Sequence, residues 1–382
     1  MSAFCADLGY QAVLAVFPLF LVLRLHASVA LFGVATAIAY GPGAIVGYIG
    51  GRVGDRVGRK RTALWGNAFI PLLSVIGVAV VPVEAVVLLA LGWWARNFRS
   101  APRRAMLTEI VAPADRGKAF GFLHALDIGG GTLAAIYAYA LVALLAAPYR
   151  LVLLLTLVPL IASTVVLAFV RAGRRPDAVP ASAAERKEAP SHPGGMAVYR
   201  GVLVATALYG FSSYSAGFPI LTVAQGTHSP ALGVLAYVLF LGVSALTGLW
   251  AGRRWGDSVR GLAFAGYGAA ALGSAGIAVS YALHLGVAGL YASMAVLGFA
   301  LGVVETLEPT LIARLAPAAK TSGGMGSLTA SRSAGLFVGN IALGLLYTLS
   351  PVYSYAYATV VATAAVIVLL AVRARAGRVA TA

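Results

Sequence analysis

The stretch Gly51-Arg52-Val53-Gly54-Asp55-Arg56-Val57-Gly58-Arg59-Lys60-Arg61 places five basic residues and one acid in a single polar break. Apolar blocks flank it near 29 to 51 and 62 to 81. Each block has about the 20 residues that a helix needs to cross a hydrocarbon core of roughly 30 Å. Glycines at these spacings suit a tight turn, and a carboxylate such as Asp55 can cap a nearby helix N-terminus. The stretch therefore reads as the basic turn of a transmembrane hairpin.

Working outward, the same reading applies to the rest of the chain. Apolar blocks fall near 3 to 26, 29 to 51, 62 to 81, 84 to 108, 117 to 146 and 149 to 170, and again near 200 to 224, 230 to 252, 260 to 283, 286 to 314, 321 to 349 and 352 to 372. Between the two sets, residues 171 to 199 carry Arg171, Arg174, Arg175, Asp177, Glu185, Arg186, Lys187 and Glu188 among Pro, Ala and Ser. Such a segment reads as a flexible linker. The expected fold is an all-α membrane protein of 12 transmembrane helices: a six-helix bundle over 1–170, a cytoplasmic linker over 171–199 and a second six-helix bundle over 200–382.

Composition agrees. Hydrophobic residues make up 60% of the 382 positions and charged residues 10%, against about 45–50% and about 25% in soluble domains. The apolar segments are continuous, which excludes the alternating pattern of a transmembrane barrel. The net charge of +16 follows from basic residues flanking spans, so nucleic acid is not an expected partner. Lys and Arg crowd alternate breaks, including Arg52 to Arg61, Arg116, Lys118, the linker, Arg253, Arg254, Arg314, Lys320 and the tail, whereas the opposite breaks hold Arg24 and Arg150. By the positive-inside rule both termini are cytoplasmic, which places a multi-pass chain in the cell's inner (plasma) membrane. A single cysteine, Cys5, leaves no intrachain disulfide, and five scattered histidines offer no metal-ligand spacing. No cleavable leader is evident, although translation could begin upstream of Met1.

The halves repeat at an offset near 200. Phe17-Pro18-Leu19-Phe20 recurs as Phe218-Pro219-Ile220-Leu221; Gly47, Gly51 and Arg52 recur as Gly248, Gly252 and Arg253; Ala112-Pro113 recurs as Ala316-Pro317. In-order matches of this kind indicate two parallel repeats.

The turn after the second block resembles the signature of the major facilitator superfamily at this loop: Gly, three residues, Asp-Arg, one residue, Gly-Arg-Lys, carried by Gly51, Asp55, Arg56, Gly58, Arg59 and Lys60. A second resemblance follows the fourth block, in Pro113-Ala114-Asp115-Arg116-Gly117-Lys118-Ala119-Phe120-Gly121, continued by Ala125-Leu126-Asp127 and preceded by Arg99-Ser100-Ala101-Pro102-Arg103, as in a prokaryotic subgroup. The resemblance implies two pseudo-symmetric bundles, alternating access, and a conformational role for the first loop. The second half is degraded, since Gly252 stands where a strict signature has Asp. Two further departures bear on mechanism. After Arg96 the chain has Arg99 and Ser100 where proton-coupled relatives often carry Gln-Gly, and the fifth block runs Gly129-Gly130-Gly131 without the proline that drug exporters usually have.

Ionisable residues inside spans are costly and mark function. Counting about 1.5 Å per residue puts Arg96, Asp127 and Arg332 near the midplane, where substrate sites lie. Asp7, Arg103, Arg104, Glu305 and Glu308 count to the cytoplasmic third. The expected substrate site is Arg96, Arg332 and Asp127 with Tyr10, Tyr209 and Tyr214. Proton-coupling candidates are Asp127, Glu305, Asp7 and His124. Arg103 and Arg104 are expected to bridge to Glu305 and Glu308 as a cytoplasmic gate. Two midplane arginines favour an anionic substrate, since each offers a permanently charged fork. The chain thus reads as a monomeric secondary transporter of a small organic molecule, proton-coupled and without cofactor or metal. Alternatives are a proton-driven drug or metabolite exporter, a uniporter of the same fold and, distantly, a helical membrane enzyme or receptor.

Overall fold

The computed structural model describes residues 1–110, 116–170, 193–255, 258–315 and 321–379. The secondary structure among them is helical, as lipid requires of a chain whose backbone polar groups must pair internally. Ten helical stretches are long and apolar enough to cross a membrane. Two more blocks expected from the sequence are also helical but stand outside that group. One is Pro82–Ile110, where Arg96, Asn97, Arg99 and Arg103 interrupt the apolar run. The other is broken into Pro193–Ser212 and Gly217–Gly226. The linker expectation for 171–199 falls mostly outside the described residues.

The chain divides into two compact units, Met1–Ala178 with Ser215–Leu241, and Val179–Tyr214 with Gly242–Ala382. The first contains α1 (Ser2–Leu19), α2 (Val29–Val57), α3 (Arg59–Phe69), α4 (Leu72–Val75), α5 (Pro82–Ile110), α6 (Arg116–Ala143), α7 (Tyr149–Leu155) and α8 (Leu157–Phe169). The second holds α9 (Pro193–Ser212), while α10 (Gly217–Gly226) packs with the first. There Phe218 meets the ring of Phe32 edge-on at 5.0 Å, and Phe32 lies 6.1 Å from Phe17. The remaining helices are α11 (Pro230–Trp255), α12 (Val259–Gly261), α13 (Ala269–Ala282), α14 (Gly286–Leu315), α15 (Thr321–Leu349) and α16 (Pro351–Val379).

In lipid, close packing and interhelical hydrogen bonds hold helices together, the bonds contributing about 0.6 kcal/mol each on average. Both devices occur in the first unit. Ser74 and Thr156 hydroxyls meet at 2.6 Å, and Ser163 Oγ donates to the Ser2 carbonyl at 2.8 Å. Asn67 donates to Thr164 Oγ1 at 2.7 Å. Along α2, Gly47 and Gly51 lie against Asn97 and Ala101 of α5, and a Cβ added at Gly54 would come within 3.0 Å of Pro102. Gly51 of the signature therefore serves helix contact, as do Gly47 and Gly54 beside it.

That changes the reading of the loop. α2 continues to Val57, so Gly51 to Val57 is helix, and the chain turns only at Gly58, at φ +111°. A side chain there would be strained, which accounts for glycine at this position. Among the described residues Asp55 caps no helix N-terminus; its Oδ1 lies 3.2 Å from Arg59 Nη2, an exposed contact across the turn.

Among the described residues, four helix ends close on a left-handed residue other than glycine: His26, Ala146, His228 and His284, with φ between 45° and 53°. In each, the following N–H reaches back to an orphan carbonyl, as from Ala27 to Leu21 at 3.1 Å and from Leu285 to Ser280 at 3.0 Å. This is the hydrogen-bonded helix ending in which glycine is usual.

Candidate functional site

In the first unit, α1 and α6 touch where glycine permits it. A Cβ on Gly130 would stand 2.5 Å from the Phe4 carbonyl and 3.1 Å from the Asp7 Cβ, and one on Gly131 would stand 3.2 Å from Gln11. Gly130 and Gly131 of the fifth block therefore let α6 bring Asp127 toward Asp7.

Asp7 is 3% exposed. Tyr10, one turn along α1, donates its hydroxyl to Asp7 Oδ1 and accepts from Arg96 Nη2 at 3.1 Å. The Arg96 guanidinium lies 4.6 Å from the Tyr10 ring centroid and 4.7 Å from that of Trp93. This embeds a permanent cation between aromatic faces, an attraction that grows as water is excluded. Tyr40 stacks edge-on against Trp93 at 5.1 Å. Asp7 Oδ2 is buried and has no hydrogen-bond partner among the described residues.

One turn further along α5, Arg99 is 1% exposed and donates from Nη1 to Asn67 Oδ1 at 2.7 Å. That partner is a neutral amide. Arg103 reaches Asp127 of α6 at 3.4 Å. Also against α1, Tyr237 of α11 donates to Gln11 Oε1 at 2.7 Å, and Tyr137 of α6 to the Leu8 carbonyl at 3.2 Å.

The second unit gathers charge around Arg332 of α15. Its Nη1 lies 2.6 Å from Glu305 Oε1, and its Nη2 3.4 Å from Glu308 Oε2. The second contact is Coulombic, since its geometry does not meet that of a hydrogen bond. Glu308 is fully buried and accepts from the Tyr267 hydroxyl at 2.6 Å, which in turn meets Thr206 at 3.2 Å. Tyr209 stacks on Tyr267 at 4.6 Å and lies 5.7 Å below the Arg332 guanidinium. α15 approaches α9 through Gly335, where a Cβ would lie 2.6 Å from the Ala207 carbonyl.

A family model of the Major Facilitator Superfamily matches residues 1–339. The chain belongs to the major facilitator superfamily. Solved facilitators have the same fold. A D-xylose–proton symporter superposes with a TM-score of 0.77 at 16% identity, over 96% of this chain and 95% of its own. The xylose transporter XylE from E. coli, in a partially occluded inward-open conformation, gives 0.73 at 14% identity over 96% and 94%. A variant of the peptide transporter POT bound to alafosfalin gives 0.75 at 19% identity over 99% and 93%. At these identities the likeness shows the fold alone. No curated protein matches the sequence significantly.

In this multi-pass facilitator the side chains pair differently from the depth count. The count separates a midplane layer of Arg96, Asp127 and Arg332 from a cytoplasmic one. The structure joins the layers, Asp127 to Arg103 and Arg332 to Glu305 and Glu308. The reason is reach, because a count fixes Cα heights, whereas an arginine head stands about one helical turn away from its own Cα. Tyr209 joins the Arg332 group, while Tyr214 hydrogen-bonds Ser274 at 3.0 Å and packs on Tyr355 at 5.5 Å. The side chains of Arg104 and His124 lie outside the described residues. Gln11, Asn67, Tyr237 and Tyr267 carried no signal in the sequence, being ordinary polar residues in apolar helices. Among the described residues no three His, Cys, Asp or Glu gather as metal ligands.

Proposed function

We propose that this facilitator is a proton-coupled secondary transporter of a small organic molecule, working by alternating access in the inner membrane with both termini in the cytoplasm. Asp7 carries the reading. Its carboxyl is buried, one oxygen is held by the Tyr10 hydroxyl, and the other has no partner among the described residues. A buried carboxylate with an unsatisfied oxygen is costly and is relieved when it binds a proton. Asp127 is paired directly with Arg103, whereas Arg96 reaches Asp7 only through the Tyr10 hydroxyl, so Asp7 takes precedence over Asp127 as the proton carrier. Glu305 and Glu308 share one arginine and form a second candidate group. Tyr10, bonded to the Asp7 carboxyl, and Arg96, bonded in turn to the Tyr10 hydroxyl, are the residues through which a proton on Asp7 would be felt at the substrate.

The test is uptake into liposomes under an imposed pH gradient, with labelled anions, cations and amphipathic compounds as cargo. Gradient-driven uptake that Asp7→Asn abolishes, while leaving exchange at equal pH intact, is the expected result. Uptake indifferent to the gradient would make the protein a uniporter. Proton-driven expulsion of drugs would instead favour the exporter reading.

A further inference from the structure

Three guanidinium groups, Arg96, Arg99 and Arg103, lie at positions i, i+3 and i+7 of α5, and so share one face of that helix. Their described carboxylate neighbours are Asp7 and Asp127, and Asp127 is engaged by Arg103. Four of their nitrogens, Nε of each and Nη1 of Arg103, are buried without a hydrogen-bond partner among the described residues. Arg99 is the deepest and has a neutral amide for its partner. A buried guanidinium keeps its proton at any working pH, so the group carries a surplus of positive charge even with both aspartates ionised. A proton on Asp7 enlarges that surplus. Uncompensated buried charge is unfavourable, and an unpartnered guanidinium N–H makes a charge-assisted hydrogen bond to an oxygen of a carboxylate or phosphate.

We infer that the first unit holds an anion subsite on α5, in which an unpartnered N–H of Arg103, at Nε or Nη1, holds an oxygen of a carboxylate or phosphate group, with Arg99 as the deeper charge and Asp7 as the linked proton acceptor. The inference rests on the transport reading above and adds the chemical class of the cargo. Anion and proton then bind cooperatively, each favouring the other by the same factor. The groups acting on Asp7 are Tyr10 on its own helix, Arg96 and Arg99 of α5, and Asp127 of α6; the hydroxyls of Tyr137 and Tyr237 bond to α1 close by.

Binding can be read without any gradient, from the thermal stability of purified protein in nanodiscs of zwitterionic lipid. Inorganic phosphate, sulfate, benzoate and citrate are titrated at constant ionic strength against chloride, at pH 5.5 and 7.5 in the same lipid. At least one oxyanion should stabilise the protein saturably, and more strongly at the lower pH. Arg103→Gln should weaken half-saturation by about tenfold or more, the effect of about 1.4 kcal/mol. Asp7→Asn should keep the binding and lose its pH dependence. Arg99→Gln takes the guanidinium donor from Asn67 Oδ1 and risks misfolding, so Arg99→Lys, which keeps the charge and should keep partial binding, accompanies it. A second arm replaces free anion by anionic lipid; stabilisation there that Arg103→Gln removes identifies a headgroup as the source. Anions acting alike in the parent and Arg103→Gln, or none acting, would overturn the subsite. Intact binding without proton-driven uptake would sink the transport reading and leave the subsite standing.

Discussion

Arg103 and Asp127 pair at 3.4 Å across 24 residues of sequence. Glu308 and Arg332 repeat the pair with the same sequence separation, the same distance and the opposite polarity. In each unit the α6 or α15 member of the pair stands three residues before the glycine, Gly130 or Gly335, at which its helix touches the first helix of its half. The internal repeat is therefore kept in geometry where the sequence has inverted the charge.

The first pair can be tested by exchanging its ends. Arg103→Asp and Asp127→Arg should each lower thermal stability by about 1–3 kcal/mol, less than for a fully buried pair because both side chains are only partly buried. The double variant should recover most of the loss. Unfolding of purified protein followed by intrinsic fluorescence measures it, and a double variant no better than the worse single one would show that the two residues are not coupled.

The α1–α6 contact makes a sharper prediction because its control is the neighbouring residue. Gly130→Ala places a methyl against the Phe4 carbonyl, which backbone cannot easily yield, and should cost about 1–3 kcal/mol. Gly129 has open space at the same point, so Gly129→Ala should be neutral or stabilising by about 0.5–1 kcal/mol. Equal effects would mean that α1 and α6 are not in contact here.

How much of this was legible in the sequence depends on what each feature needs. The helical, multi-span fold follows from composition and block length, which survive any detail of packing. The signature loop was legible as a motif, but its helix was not, since the glycines that suggest a turn are the ones that let α2 lie on α5. Asp7 and Arg332 stood out as charges in apolar blocks. Their partners did not, because Tyr10 and Tyr267 become special only through the helix that faces them.

Tyr267 gives that point a measurement. Tyr267→Phe leaves a buried Glu308 oxygen without its donor and should cost about 1–3 kcal/mol. In a Glu308→Gln background, where the charge is gone, the same change should cost less than about 1 kcal/mol. An undiminished cost would assign the loss to the hydroxyl's other contact, with Thr206.

Acid sensitivity should include a contribution from Glu84, which lies exposed at the start of α5. The backbone N–H groups of Val80 and Val81 donate to it, at 2.8 Å and 3.3 Å, and hold its carboxyl below the ordinary 4.5. A folded value below the unfolded one means that this stabilisation is complete above about pH 4.5 and fades as the pH falls through the lower folded value. Glu84→Gln should therefore be less stable at neutral pH and show a shallower decline under acid, when unfolding temperatures of the two proteins are compared from pH 7 to 3.

The four left-handed helix ends offer a practical use. A side chain in that conformation costs about 1–2 kcal/mol relative to the right-handed one, a penalty glycine escapes. His26, Ala146, His228 and His284 are thus natural sites at which a hardier variant can be engineered for purification and crystal growth, by replacement with glycine at positions distant in sequence from the charged clusters. Because the exchanges fall at separate helix ends, their gains should accumulate.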